Sequence, residues 1–310
     1  MHKKNVLITG GAGFIGRALV ARCLKEGNAV TVIDNLCAGR IDNLQPYLDS
    51  VTFCQADILD KSALADVMEK ARPHVVFHLA AHHFIPFCDQ NPAETLRVNV
   101  EGTHTVLSAA AGHGARVAVV ASSGSLYPSR DTLLSEELEA APVDVYGLSK
   151  LLMEEVTRFI VKTTGMSCVA ARLFNTYGPY ETNPHLIPHI MESLQLGSVV
   201  QLGNIHTKRD YIYVDDVATL LYRCGQMAIE SYTTVNIGTG TGYSAEEIVQ
   251  TISQLLGRKI TIDVDAARVR AVDKMHQRAD LRKVQSLTGM QRIYSLKEGL
   301  RELLLHEGIG

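Results

Sequence analysis

Along its first half the chain alternates short runs rich in β-branched residues with segments whose apolar positions recur at helical spacing. The predicted strands are Asn5 to Thr9, Ala29 to Asp34, Val51 to Gln55, His74 to Leu79, Arg116 to Ser122 and Met166 to Leu173. The predicted helices are Phe14 to Glu26, Lys61 to Ala71, Pro92 to Gly112 and Tyr146 to Thr164. In the last of these Leu148, Leu151, Leu152, Val156, Phe159 and Ile160 repeat at near-helical intervals. Regular alternation of this kind implies an α/β fold, a doubly wound parallel sheet covered on both faces. After about residue 174 the rhythm breaks at Pro179, Pro184 and Pro188. Helices are expected there at Leu186 to Leu196, Asp215 to Ile229, Ser244 to Leu256 and Leu296 to His306, and strands near Val199 to Leu202 and Val235 to Ile237. Residues 1–173 therefore read as one domain and 174–310 as a smaller α/β lobe capping it. The boundary is approximate, and part of the chain is free to return to the first domain.

Bulk properties exclude several classes. The chain of 310 residues has 46% hydrophobic and 20% charged residues, ordinary for a soluble globular protein. The formal net charge is -3 and Lys and Arg form no long run, so a nucleic-acid-binding surface is not expected. Six scattered cysteines without a Cys-x2-Cys spacing suggest reduced, mostly buried thiols rather than zinc ligands or a disulfide framework. His82 and His83 are adjacent, which is not the spacing of a helical metal pair, so no metal is expected. A strand beginning by about Asn5 leaves no room for a signal peptide, and no apolar run is long enough to span a bilayer. A cytoplasmic location without membrane contact is the expectation.

The candidate chemistry lies at the ends of the predicted strands. Thr9-Gly10-Gly11-Ala12-Gly13-Phe14-Ile15-Gly16 joins the first strand to the first helix, setting backbone N–H groups and a helix N-terminus against a pyrophosphate. Its spacing, Gly10-x2-Gly13-x2-Gly16, departs from the usual Gly-x-Gly-x2-Gly of dinucleotide sites. Asp34, followed by Asn35, ends the second strand, where a carboxylate accepts from both ribose hydroxyls and repels a 2′-phosphate, favouring NAD over NADP. Asp57, with Ile58 after it, has two readings: a bond to the adenine amino group, or a cap for the helix starting near Lys61. Leu79, Ala80 and Ala81 supply small residues where backbone must approach the cofactor. Ser122-Ser123-Gly124-Ser125 ends an apolar strand, and Tyr146 and Lys150 share a helix face. An ammonium beside the phenol stabilises phenolate, which makes Tyr146 a usable base near neutral pH.

These segments together resemble the extended short-chain dehydrogenase/reductase family, within it the nucleotide-sugar epimerases and dehydratases. The likeness runs through His78-Leu79-Ala80-Ala81, Asn99-Val100-x-Gly102-Thr103, Tyr146-x3-Lys150 and Arg172-Leu173-Phe174-Asn175-x-Tyr177-Gly178-Pro179. It continues in Arg209-Asp210-Tyr211-Ile212-Tyr213-Val214-Asp215-Asp216-Val217 and Asn236-Ile237-Gly238. The resemblance implies a Rossmann domain, bound NAD and catalysis by Ser123, Tyr146 and Lys150, with Asn99 also on the cofactor side. It implies a nucleotide-diphosphate sugar as substrate, UDP-sugars being favoured. Asn175, His185 and Leu186 would contact the diphosphate, while Arg209, Tyr211 and Arg270 would hold ribose and phosphates; for Arg270 a solvated surface position stays open. The helices Pro92 to Gly112 and Tyr146 to Thr164 resemble the pair that forms a four-helix interface in this family, so a homodimer is expected.

Departures from the family pattern narrow the reaction. Dehydratases carry an acidic pair after the catalytic Ser/Thr, and decarboxylating relatives usually a carboxylate at its second position; here those positions are Gly124 and Ser125. Epimerisation at C4, through a transient 4-ketone, is the reading that remains. A dehydratase, decarboxylase or reductase of the same family, an oxidase releasing NADH, and a non-catalytic NAD-binding regulator are the alternatives. In His82-His83-Phe84-Ile85-Pro86-Phe87-Cys88, where relatives often carry Lys or Ser, His83 either faces a particular sugar or only satisfies backbone. Ser125 is placed with the substrate-binding residues, and Pro128 after Tyr127 replaces a usual Gly without a legible consequence.

Overall fold

Alternate residues of the central strands point to opposite layers of helices, and that two-residue period builds the core. The computed structural model describes residues 4–227, 231–265, 276–290 and 293–310. Strands β1 (Asn5–Thr9), β2 (Ala29–Asp34), β3 (Val51–Gln55), β4 (Val75–His78), β5 (Val117–Ser123) and β6 (Ser167–Leu173) pair in parallel in the order β3-β2-β1-β4-β5-β6. Val6, Ile8, Val30 and Val32 face one layer, with Leu19 of α1 (Phe14–Lys25). Leu7, Ile33, Val76 and Val120 face the other, with residues of α2 (Lys61–Ala71), α5 (Gly102–Gly112) and α6 (Val145–Thr164). Before α5 come the short α3 (Ile85–Gln90) and α4 (Pro92–Leu96).

The helix expected over Pro92 to Gly112 runs through a π turn at Arg97–Glu101 between α4 and α5. Asn99 sits in that turn, 1% exposed. Its side chain accepts from His82 N at 2.8 Å and donates to His82 O at 2.8 Å and to Ser149 Oγ at 2.9 Å. The widened turn thus places an amide where it holds the loop after β4.

Beyond β6 the chain forms β7 (Asn175–Tyr177), α7 (Leu186–Leu196), β8 (Val199–Leu202), β9 (Lys208–Tyr213) and α8 (Val214–Cys224). It then returns to the first sheet as β10 (Tyr232–Ile237), parallel to β6, while α8 packs against α1. The strand expected at Val235 to Ile237 is therefore longer and belongs to the main sheet. The helix expected to reach Ile229 ends at Cys224, with 228–230 outside the described residues. Last come β11 (Gly242–Tyr243), α9 (Ala245–Leu256), β12 (Thr261–Val264), β13 (His276–Gln277), α10 (Arg282–Thr288) and α11 (Leu296–His306). A separate apolar cluster, including Ile190, Ile248 and Leu300, joins α7, α9 and α11. Capping boxes at Ser244 with Glu247 and at Ser295 with Glu298 start α9 and α11.

Candidate active site

The carboxyl ends of β1, β2, β4, β5 and β6 open into one cleft of about 1020 Å³, closed on its far side by the α7–β9 segment. It lies where the strand order reverses between β1 and β4, the place an open α/β sheet leaves for a ligand. Of the residues singled out in the sequence, Gly10, Gly13, Phe14, Ile15, Gly16, Asp34, Asn35, Asp57, Ile58, Leu79, Ala80 and Ala81 line one end. His83, Ser123, Ser125, Tyr146, Lys150, Asn175, His185, Leu186, Arg209 and Tyr211 line the rest. Asn99 does not line the cleft, because its side chain is spent on the His82 backbone and Ser149. Arg270 lies outside the described residues.

Local chemistry explains the first end. Gly10 has φ +72, and a Cβ there would stand 2.7 Å from Ala80 N; a Cβ on Gly16 would overlap the Gly10 carbonyl oxygen. No side chain caps α1, whose N-cap is Gly13, so its first turn is open to an anion. Asp34 accepts from Ala12 N at 3.0 Å and from Leu36 N at 2.8 Å, so it organises the loop as well as facing the cleft. Burial raises its carboxyl, and these two backbone bonds oppose that. Asp57 accepts from Asn35 Nδ2 at 2.8 Å and from Leu59 N at 2.8 Å. The cap of α2 is Asp60, which accepts from Ser62 N and Ala63 N, so the capping alternative for Asp57 falls away. An uncapped helix terminus, a backbone cradle and a strand-end carboxylate in one cleft fit NAD.

At the other end, burial pushes the Tyr146 phenol up to about 12, and a hydrogen bond with Ser123 opposes the rise. Lys150 Nζ stands 5.7 Å from the Tyr146 ring centre and donates to Ala121 O at 2.7 Å. Burial pushes Lys150 down to about 8, while Cys88 and Glu154 hold it up. The lowering expected from the lysine is not among the causes at Tyr146, where desolvation dominates and the opposing bond comes from Ser123. Beneath the site Glu154 receives Arg172 Nε at 2.9 Å, Arg172 Nη2 at 2.8 Å and Ser122 Oγ at 2.5 Å. Arg172 Nη1 donates to the Tyr127 hydroxyl at 2.8 Å, which donates to Asn236 Oδ1 at 2.8 Å. This chain fastens β5, α6, β6 and β10 together one residue from Ser123.

Other lining residues escaped the sequence reading: Cys37 to Gly39 near Asp34, Glu181, Asn183 and Gln277. Glu181 and His185 meet at 2.5 Å in the loop before α7, where no helical spacing announces the contact. Gln277 donates to Gly124 O at 3.0 Å, a contact across 153 positions with no local trace.

A parallel sheet, a glycine-cradled helix terminus and a Tyr–Lys–Ser cluster in one cleft define a dinucleotide-dependent α/β enzyme. The NAD dependent epimerase/dehydratase family model matches residues 6–238, and the chain belongs to that family. It is similar to the UDP-glucose 4-epimerase of Mycolicibacterium smegmatis, 32% identical over 305 residues and 95% of each chain. It is also similar to UDP-glucuronic acid decarboxylase 1 of Xenopus tropicalis, 28% identical over 97% of this chain and 72% of that one. The UDP-glucose 4-epimerase of Thermotoga maritima, solved with UDP-glucose, superposes with a TM-score of 0.88 at 26% identity, covering 97% of this chain and 98% of that chain.

Proposed function

We propose that this protein is an NAD-dependent nucleotide-sugar 4-epimerase acting on a UDP-sugar. The observation that carries the reading is the cluster of Tyr146, Ser123 and Lys150 in a cleft whose next positions, Gly124 and Ser125, offer no acidic side chain. Dehydration and decarboxylation need a further acid or base there, whereas inversion at one carbon does not. Gly10, Gly13, Gly16 and Asp34 would hold the cofactor's pyrophosphate and ribose, with Phe14, Ile15, Asn35, Asp57, Ile58 and Leu79 to Ala81 around them. When bound, NAD supplies a reversible hydride acceptor and a positive charge at the nicotinamide, a charge that favours deprotonated Tyr146.

Tyr146 as phenolate then takes the proton of a sugar hydroxyl and returns it at the end of the cycle. Ser123, bonded to Tyr146, shares the same oxygen and polarises the ketone. Lys150 keeps positive charge beside the ring and, by its bond to Ala121 O, holds α6 against the end of β5. Asn175, His185 and Leu186 at the start of α7, with Arg209 and Tyr211 of β9, would take the diphosphate and ribose. On this reading residues 1–173, joined by β10, would hold NAD, and most of 174–310 the nucleotide sugar.

A two-fold homodimer, in the cytoplasm, completes the reading. Leu148, Leu152 and Phe159 are exposed on α6, and Leu152 and Val156 border a shallow surface hollow with Leu96, Val100 and His104. No described helix is long and apolar enough to cross a membrane. The test is NMR and mass analysis of product from a panel of UDP-sugars with catalytic NAD added. A mass-neutral product inverted at C4 is expected; loss of water or carbon dioxide, or stoichiometric NADH, would overturn the reaction.

A further inference from the structure

The loop after β4 and the loop before α7 meet across the cleft through four polar side chains. His83 Nε2 and Asn183 Nδ2 are 2.9 Å apart, and His185 Nδ1 and Glu181 Oε1 are 2.5 Å apart. The rings of His83 and His185 stand edge to face at 6.4 Å, with Phe84 6.0 Å from His185. The Glu181 side chain is 4% exposed, so the pair it makes with His185 is built into the wall. His83 is exposed and lines the cleft, and it lies close enough to Lys150 for their charges to interact. Enclosure by protein, reinforced by His185 and Lys150, pushes the His83 ring down to about 4, so it is neutral at pH 7.

The hydrogen-bond pattern then determines what the wall offers. His83 makes a hydrogen bond to the Ala81 backbone of the kind that favours a protonated ring nitrogen. With that proton on Nδ1, Nε2 accepts, so Asn183 must turn its NH2 to His83. The Asn183 side-chain oxygen Oδ1 is then left for a ligand. A sugar hydroxyl can donate to this oxygen, whereas a carboxylate only accepts and is opposed by it.

We propose that His83 is a positioning residue: by fixing Asn183 it builds a hydroxyl-recognising wall that selects neutral hexosyl groups over hexuronosyl groups. This rests on the nucleotide-sugar reading above and names its sugar class. In this role His83 acts through Asn183, which separates it from Tyr146 and Ser123.

Calorimetric titration of the NAD-loaded protein tests it, with UDP, UDP-glucose and UDP-glucuronic acid as probes. In the unaltered protein UDP-glucose binds more tightly than UDP, and UDP-glucuronic acid no more tightly than UDP. His83→Ala and Asn183→Ala each weaken UDP-glucose by about tenfold, the double variant by no more than either, with UDP unchanged. His83→Gln, which retains an acceptor for Asn183, recovers part of the loss. Additive losses, equal weakening of UDP, or UDP-glucuronic acid bound as tightly as UDP-glucose would overturn the wall while leaving the epimerase reading intact. Failure of the unaltered protein to bind either UDP or UDP-glucose would overturn that reading and the wall with it.

Discussion

Glu154→Gln perturbs both the packing beneath the site and its electrostatics, and the two effects have separate signs. Glu154 is fully buried and Arg172 is 4% exposed, their two hydrogen bonds measuring 2.9 and 2.8 Å. Glutamine keeps the volume and one acceptor for Ser122 or Arg172, but it leaves the guanidinium as an uncompensated charge in the core. Removing one partner of a buried pair costs about 3–5 kcal/mol, more than any surface pair would. Urea unfolding is expected to read a loss of that size. Glu154→Gln with Arg172→Met, which removes the orphan charge, should recover part of it.

The second effect concerns Lys150, whose charged and titratable neighbours are Cys88 from α3, His78 from β4, His83 from the following loop, and Tyr146 and Glu154 on its own helix. Of these Glu154 helps to hold it up against burial, so in the glutamine variant Lys150 should titrate below its present value of about 8. Activity depends on the ammonium, so the alkaline limb of the pH–rate profile should move to lower pH. A purely structural role would lower stability and leave that limb in place. A stability loss under about 1 kcal/mol would refute the packing argument, and an unmoved limb the electrostatic one.

Three further outcomes follow from the same contacts. Tyr146→Phe should lower turnover by about 10²–10⁴-fold with NAD affinity nearly intact, measured by steady-state kinetics and fluorescence titration; retained activity would remove Tyr146 from the chemistry. Asp34→Ala should weaken NAD by at least about tenfold and raise the relative affinity for NADP, at some cost in stability because the amides of Ala12 and Leu36 lose their acceptor; an unchanged preference would refute the assignment. His78, whose ring nitrogens meet Thr9 Oγ1 at 2.7 Å and Thr103 Oγ1 at 2.9 Å, is held neutral by burial down to about 3. Between its ordinary 6.5 and about 3 only the unfolded chain binds this proton, so His78 contributes a stability loss of about 1.4 kcal/mol per pH unit on acidification, a contribution that His78→Gln removes.

What was legible in the sequence is what depends on local period. β1 to β3, the α2 range and the α7 and α11 ranges coincide with their apolar patterns, because a strand buried between two helical layers must be apolar on both faces. Tyr146 and Lys150 were readable for the same reason, since four residues on a helix make one face. β9 was quoted only as a motif: Lys208 to Tyr213 begins with three charged residues, one of which, Asp210, is buried only because Thr239, Gly240 and Ala279 bond to it from far along the chain. The π turn at Asn99 and the return of β10 to the first sheet likewise have no local cause.

The same division runs through the site itself. The Tyr146–Lys150 pair needs one helix, and the glycine loop one strand and one helix, so the class of chemistry is written in short segments. The His83–Asn183 contact joins residues 100 positions apart, and Gln277 reaches Gly124 from a strand of another sheet. Contacts of that kind exist only once distant segments have packed together, so neither histidine spacing nor residue type reveals them beforehand. The two readings of His83, facing a sugar or satisfying backbone, meet in the proposed wall, where one nitrogen would be held by Ala81 and the other would orient an amide on the opposite side. Sugar preference on this fold is then a property of how two loops meet, and exchanging either loop alone should degrade recognition without transferring it.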